Sequence, residues 1–532
     1  MLPKRHRFPE IMIRVDHVTF AYPGSPAHPV LDDVSCMIHD GEEIAVIGGN
    51  GSGKTTLGLL LSGILKPDQG RIMIDGKPPG SDRDSPVIGF LFQDPDNGLV
   101  ATTVEREVAF SLENQNCPPG EMMGIVDKTL ERFELSRFRS RLVWNLSGGE
   151  KQRLSLAGLF ASGPRILFLD EPASFLDLPG VRQLDDALGQ FRRTNTGLII
   201  IRVTQYPRVA DQYRRILIMG GGKILKDAPP EQVFTNRELL TSTGLRPPFK
   251  YLPVRPSLRS EPSDNGKSVP SQSPLLTLHD VTFGFDGASS PPIFEKLSLD
   301  IYPGEVVGLM GPTGCGKSTL AQIICGIYQP TEGNIYSNWI GFRAVMSFQQ
   351  PERQFFLDTT YDEVAFGIKD VTGGNNSADD IVRHSMTAAG LDFELFRHRA
   401  PHTLSGGEAR RLAFAIVIAL RADLIIFDEP TCGLDEAGVA AFKRMVDTLK
   451  GAGKTVMLIS HDSDIIADKA DRVLFLHRGK LDFVGSPLQF FASDMYQEVL
   501  SIPEIVDYQH GTYGKVFTTH PADVFDLSGF FA

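Results

Sequence analysis

Cysteine is scarce in this chain of 532 residues: Cys36, Cys117, Cys315, Cys325 and Cys432 are too few and too scattered for a disulfide framework or a paired CxxC metal site. A reducing compartment is the default. Long apolar runs are missing as well. The longest compact ones, such as AFAIVIAL at Ala413–Leu420, fall far short of the roughly 20 residues that cross a bilayer as a helix. The start, MLPKRHRFPEIMIRV, is basic but passes directly into alternating, strand-like sequence. No secretory signal or transmembrane helix is therefore expected, and any membrane role needs partners. Nor is there an excess of positive charge: 53 Lys and Arg stand against 65 Asp and Glu, a net −12. That balance argues against an extended nucleic-acid groove and leaves room for a local basic patch or a nucleotide ligand. With 42% hydrophobic and 22% charged residues, packed cores are expected, and the length fits two or more domains.

What the chain does have is an internal duplication. GGNGSGKTT at Gly48–Thr56 recurs as GPTGCGKST at Gly311–Thr319, and FQDPD at Phe92–Asp96 recurs as FQQPE at Phe348–Glu352. LSGGE at Leu146–Glu150 returns at Leu404–Glu408, and LFLDEP at Leu167–Pro172 returns as IIFDEP at Ile425–Pro430. The order is the same in both halves, and the interval from Gly148 to Asp170 equals that from Gly406 to Asp428. The interval from Lys54 to Gln93 exceeds that from Lys317 to Gln349, a difference that surface loops can absorb.

Each half opens with short alternating strands, IMIRVDHVTFAY at Ile11–Tyr22 and LLTLHDVTFGF at Leu275–Phe285, before EEIAVIGG and EVVGLMGP deliver a buried strand into a glycine loop and a helix. This predicts an α/β nucleotide-binding core that begins with an antiparallel portion. Sequence after Phe110 and Phe366 is more helical, so each half gains a helical insertion before LSGG. A stretch containing RPSLRSEPSDNGKSVPSQSP is too polar and Pro-rich for a core of its own and reads as a linker or a structured loop. The expected organisation is a first domain over 1–246, a linker over 247–274, a second domain over 275–495 and an accessory segment over 496–532. That last segment could be an accessory helix, a docking element or packing.

Both glycine loops match GxxxxGK[ST], in which a strand-to-helix turn points backbone N–H groups at phosphates. The phosphate-binding positions are Gly48, Asn50, Gly51, Gly53, Lys54, Thr55 and Thr56 in the first loop, and Gly311, Thr313, Gly314, Gly316, Lys317, Ser318 and Thr319 in the second. Lys54 and Lys317 neutralise β/γ oxygens, and Thr55 and Ser318 can ligate magnesium. Asp170 and Asp428 end apolar strands and can hold the magnesium shell, while the adjacent Glu171 and Glu429 can orient or polarise water for attack on a γ-phosphate. An isolated Asp-Glu pair would be surface charge; a strand end beside a phosphate loop argues otherwise. Gln93 and Gln349 follow strand-like segments and could contact the metal or water. Ser147, Gly148 and Gly149, like Ser405, Gly406 and Gly407, form a small-residue helix start that can bring donors to a phosphate. His461, in LISHDSD beyond a strand, could bridge γ-phosphate and the carboxylates, whereas the first half has Gln205 at that place.

In this order the motifs resemble those of ABC-type ATPases: Walker A, Q loop, LSGG signature, Walker B with its glutamate, and D loop, over nearly all of both halves. The resemblance implies a RecA-like core in each domain, a helical signature subdomain, and ATP with Mg2+ as ligands. It also implies head-to-tail pairing of the halves. One composite site would use Lys54, Thr55, Gln93, Asp170, Glu171 and Gln205 with Ser405 and Gly407. The other would use Lys317, Ser318, Gln349, Asp428, Glu429 and His461 with Ser147 and Gly149, and it is expected to carry most hydrolysis. Tyr22 and Phe285 look like the family's adenine-stacking aromatics, and Asp177 and Asp435 like residues that communicate across the pair.

A narrower resemblance lies in FQDPDNGLVATTVEREVAF and FQQPERQFFLDTTYDEVAF, similar to energy-coupling factor import ATPases of the cobalt and vitamin transporter group, although Gly98 stands where the second half has Gln354. It implies a peripheral ATPase at the cytoplasmic face of the membrane, partnered by a transmembrane coupling subunit and a membrane substrate-binding subunit, with no direct nucleic acid. The cargo would be a vitamin, vitamin precursor or transition-metal ion. A soluble tandem ATPase acting on ribosomes is the competing reading; a long charged helical linker would favour it, and the Pro/Ser-rich linker favours transport. A DNA-repair ATPase would need a coiled-coil insertion or zinc cysteines that the sequence does not carry.

Overall fold

A computed structural model describes residues 12–525 apart from 24–28, 81–87, 175, 177, 196, 255–272, 286–291, 369–377, 494–495, 498–499, 514–515 and 517. The chain divides into two compact units, Met1–Tyr251 and Leu252–Ala532.

In the first unit, β1 (Met12–Phe20), β2 (Leu31–His39) and β4 (Gln69–Ile74) form an antiparallel sheet in the order β2-β1-β4. Their burial alternates, one face on the core and one outward, as expected of such strands. The second sheet contains β3 (Glu43–Ile47), β5 (Ile88–Leu91), β6 (Ile166–Asp170), β7 (Ile199–Val203), β8 (Arg215–Gly220) and β9 (Lys223–Ala228), ordered β5-β6-β7-β3-β8-β9. All its pairings are parallel except β8 with β9. The sequences ILFLD and IIIRV are buried at every position, the pattern of parallel strands covered on both faces. The second unit repeats the plan. Strands β10 (Leu276–Phe283), β11 (Phe294–Ile301) and β13 (Glu332–Ser337) make the small sheet; β12 (Val306–Met310), β14 (Ala344–Ser347), β15 (Leu424–Asp428), β16 (Thr455–Ile459), β17 (Arg472–His477) and β18 (Lys480–Gly485) make the large one, ordered β14-β15-β16-β12-β17-β18.

One hydrophobic cluster joins the two sheets of the first unit, with Ile13 and Val15 packed on Val46, Leu57 and Phe168. A separate cluster fills the helical part, where Val104, Val108, Leu130, Leu154 and Phe160 come from helices Val104–Asn114, Pro119–Arg132 and Gly148–Ala161. These are the insertions expected before each signature, and the second unit has its counterparts in Thr360–Phe366, Ala378–Ala388 and Gly406–Ala419. No helix among the described residues is long and apolar enough to cross a membrane.

Packing of the first unit continues past residue 246. Phe249 is buried, the Tyr251 hydroxyl donates to Asp211 at 2.8 Å and Lys250 pairs with the same carboxylate at 2.7 Å. Most of the Pro/Ser-rich stretch, 255–272, lies outside the described residues. The segment after 495 packs on the second unit: Tyr496 is fully buried with its ring 5.0 Å from that of Phe490, and the Glu504 amide donates to Asp464 at 2.7 Å. Of the roles open to it, packing is the one these contacts serve. Truncating Tyr496→Ala should cost about 3–5 kcal/mol, the usual loss for a large buried ring. Urea denaturation of the full chain, followed by a probe in the second unit, measures it.

Candidate active site

The phosphate loop leaves the carboxyl end of β3 and enters helix Lys54–Leu61; the second copy leaves β12 and enters Lys317–Ile324. The loop sits so close to the sheet that its first glycine admits no side chain. A Cβ on Gly48 would lie 2.2 Å from the Met219 carbonyl oxygen, and one on Gly311 would lie 2.1 Å from that of Leu476. Gly51 and Gly314, by contrast, have open space on the Cβ side and left-handed φ of +74° and +80°. The Lys54 ammonium donates to the carbonyls of Gly48 at 2.9 Å and Gly49 at 2.8 Å; that of Lys317 donates to Gly311 at 2.8 Å and Pro312 at 3.0 Å. Each cation is thus folded back over its own loop.

Strands β6 and β7 end side by side, Asp170 opposite Val203, so Asp170, Glu171 and Gln205 meet at one edge of the loop. The Thr55 hydroxyl donates to Asp170 at 2.6 Å, and Ser318 hydrogen-bonds Asp428 in the second unit. Burial raises both aspartates, Asp428 to about 6. A buried carboxylate held against a hydroxyl, at the foot of a loop that presents a lysine and helix N–H groups, is the donor set expected for magnesium shared with phosphate. The residues fit that ion.

Both catalytic candidates adopt left-handed backbone, Glu171 with φ 46° and Glu429 with φ 49°. Such a conformation costs a non-glycine residue about 1–2 kcal/mol, and the neighbouring strand enforces it through the Glu171 amide on the Val203 carbonyl (3.2 Å) and the Glu429 amide on that of Ile459 (2.8 Å). The carboxylates have different company. Glu171 accepts from the Gln205 amide, from Gln93 at 3.2 Å and from the Ser174 hydroxyl at 3.1 Å, and Gln205 also reaches Asn50 at 3.3 Å. Glu429 accepts from the His461 ring Nδ1 at 2.8 Å and from the Ser460 hydroxyl and His461 amide, each at 3.3 Å. Burial raises Glu171, and the neutral Gln205 offsets only part of the rise. Burial acts on Glu429 in the same direction and is the largest single influence, but the His461 charge and hydrogen bonds together with the Lys317 charge outweigh it and leave that carboxyl below its ordinary value. The Glu429 charge in turn raises His461 to about 8.

The remaining residues named from sequence fall into place unevenly. Ser147 and Ser405 cap the signature helices in full capping boxes, each hydroxyl accepting from the Glu150 or Glu408 amide while the glutamate accepts from the serine amide at 2.8 Å. The S-x-x-E spacing was the available signal for that glutamate. Gln93 and Gln349 lie on exposed loops. Tyr22 is exposed with its hydroxyl 3.4 Å from that of Thr56, and Phe285 is an exposed ring edge-on to Tyr328. Asp435 caps helix Glu436–Gly451 by accepting from the Gly438 amide at 2.9 Å; Asp177 lies outside the described residues. Sequence reasoning passed over Glu107 and Glu363, both buried. Glu107 accepts from the amides of Val100 (3.0 Å) and Ala101 (2.6 Å), and Glu363 from those of Phe356 (2.5 Å) and Leu357 (2.6 Å). Each shapes the loop that follows the glutamine, and the repeated EVAF was the clue.

Phosphate loop, buried aspartate and adjacent glutamate at the carboxyl ends of parallel strands define an α/β nucleotide hydrolase, here in two copies. The family model for the ABC transporter ATPase domain, described as "ABC transporter", matches residues 31–174 and 294–432, and the chain belongs to that family. It is an ATPase that uses ATP with Mg2+. Among relatives, a provisionally named ABC transporter ATP-binding protein of Methanosarcina mazei is 29% identical over 91% of this chain and 90% of its own length. A provisionally named HMP/thiamine import ATP-binding protein of Bacillus subtilis is 29% identical over 91% of this chain and 93% of its own length. In a solved assembly described as ribosome-bound archaeal Pelota and ABCE1, one chain matches 89% of this chain and 79% of its own length with a TM-score of 0.64 at 20% identity, a likeness of fold.

The raised His461 makes a prediction with a definite sign. A folded value near 8 against an ordinary 6.5 means that the ion pair with Glu429 contributes stability in full below about pH 6.5 and loses it as pH rises through about 8. NMR titration of the His461 ring should give a midpoint near 8, falling to 6.5 or below in Glu429→Gln.

Proposed function

We propose that this chain is the ATP-hydrolysing, energy-coupling subunit of a membrane importer for a vitamin, vitamin precursor or transition-metal ion, peripheral to the cytoplasmic face of the membrane. Its two halves pair head to tail around two composite ATP sites. The observation that carries the reading is an apolar patch repeated beside each glutamine loop. Val100 and Phe356, at equivalent places, are 64% and 66% exposed, and Phe110 and Phe366 are 42% and 56% exposed. In the first unit the patch borders a cavity of about 350 Å³ lined by Phe90, Phe92, Pro95, Phe110 and Leu159. Buried Glu107 and Glu363 hold the exposed loop residues in place, so the apolar side chains are presented by a fixed backbone, as a surface for a partner helix requires. Similarity to an import ATPase over nearly its whole length supports the vitamin class.

In this reading Lys54 and Lys317 bind the β/γ phosphates, and the glycine-loop amides orient them. Thr55, Asp170 and Gln93 hold one magnesium ion, and Ser318, Asp428 and Gln349 the other; magnesium, when bound, neutralises charge on the phosphoryl oxygens. Glu171 and Glu429 orient the attacking water. Tyr22 and Phe285 stack on adenine. Ser405 and Gly407 complete the first site, Ser147 and Gly149 the second. His461 keeps Glu429 ionised and aimed, whereas Gln205 offers Glu171 an amide without a charge, so the second site carries most turnover.

Glu429→Gln should therefore lower steady-state hydrolysis at saturating ATP by about tenfold or more, and Glu171→Gln by several-fold less. Equal losses overturn the ranking. Detergent extraction of native membranes should recover the full chain with a transmembrane coupling subunit and a substrate-binding subunit. Phe356→Asp combined with Phe366→Asp should abolish that recovery and leave ATP binding intact. Recovery with ribosomes and without a membrane subunit overturns the importer reading.

A further inference from the structure

Arg410 stands on the second turn of the signature helix Gly406–Ala419, and its guanidinium spans two other segments. Nη1 donates to the backbone carbonyl of Glu429, and Nη2 donates to the backbone carbonyl of Gln349 at 3.1 Å. One planar fork thus joins the helix that begins at Ser405, the loop that carries Gln349 and the strand end that carries Glu429. The Glu429 contact matters because that residue is left-handed. Its backbone dihedrals orient both its carbonyl and its Cα–Cβ bond, so a donor clamped on the carbonyl also restrains the point from which the side chain sets out. The half-buried guanidinium also acts on Asp428, whose carboxyl its charge helps to hold down against burial.

The first unit is built differently. Gln152 occupies the corresponding position, fully buried, and its amide donates to the Pro172 carbonyl at 3.1 Å while its Oε1 has no partner. There the loop after Gln93 is tied to the signature helix by another side chain, Lys151, paired with Asp96 at 2.5 Å. Loop and strand end are served by two residues in the first unit and by one in the second.

We infer that Arg410 is a positioning residue of the second site, holding the Glu429 backbone in register with the Gln349 loop so that movement of that loop is felt at the carboxylate that orients water. The inference rests on the reading of Glu429 as the water-orienting group. In the full chain, Arg410→Gln installs the side chain that the first unit already accommodates. It should lower kcat for ATP hydrolysis about tenfold, with the KM for ATP within about twofold and the unfolding midpoint unchanged. Arg410→Lys, which keeps the charge but replaces the planar fork by a single ammonium, should fall between. Added to Glu429→Gln, Arg410→Gln should leave the residual rate unchanged, because both act on one group. Unaltered kcat in Arg410→Gln and Arg410→Lys overturns the inference, as does a rise in KM matching the loss of kcat, or a full additive loss on Glu429→Gln. If Glu429→Gln itself leaves turnover intact, the reading of the site fails instead; if it removes turnover while Arg410→Gln does not, only this inference fails.

Discussion

Everything at the two sites depends on how closely the phosphate loop approaches the neighbouring strand. Gly48 against the Met219 carbonyl, and Gly311 against that of Leu476, leave no room for a β-carbon. That approach seats each loop directly over the carboxyl ends of the parallel strands, where β6 and β7, or β15 and β16, deliver an aspartate, a glutamate and the residue beyond. The left-handed glutamates turn away at once from a strand whose neighbour holds their amides through the Val203 and Ile459 carbonyls.

On this common frame the two units differ by a few hydrogen-bond partners. Replacing an imidazole by an amide at one position changes what surrounds the glutamate from a charge to a dipole; burial raises both carboxyls, and the charged surroundings of Glu429 turn its net shift downward while Glu171 stays raised. Replacing Gln152 by Arg410 transfers the grip on the strand end from an adjoining residue to the glutamate itself. The duplication has kept the fold and changed the hydrogen-bond partners of the two glutamates.

Much of this was legible in the sequence because the motifs carry their physics locally. Continuous apolar runs ending in Asp-Glu mark parallel strands and their reactive ends, and a glycine loop between strand and helix marks the phosphate cradle. The capping glutamates Glu150 and Glu408 were equally local and readable from spacing. Glu107 and Glu363 were not, for a buried carboxylate that accepts two amides from the preceding loop looks in sequence like any acidic residue near a helix start. The first unit's edge also lay beyond composition: Phe249 and Tyr251 anchor to it just before the polar stretch begins.

The sequence by itself determined that this chain is a duplicated ABC-type ATPase, because hydrophobic periodicity and fixed motif spacing act over short stretches and survive without knowledge of the fold. Only the tertiary structure decided which side chains touch each glutamate. Gln205, His461, Gln93 and Arg410 reach their partners from segments 19 to 78 residues away, and contacts of that kind exist only once the parallel strands have set their ends side by side.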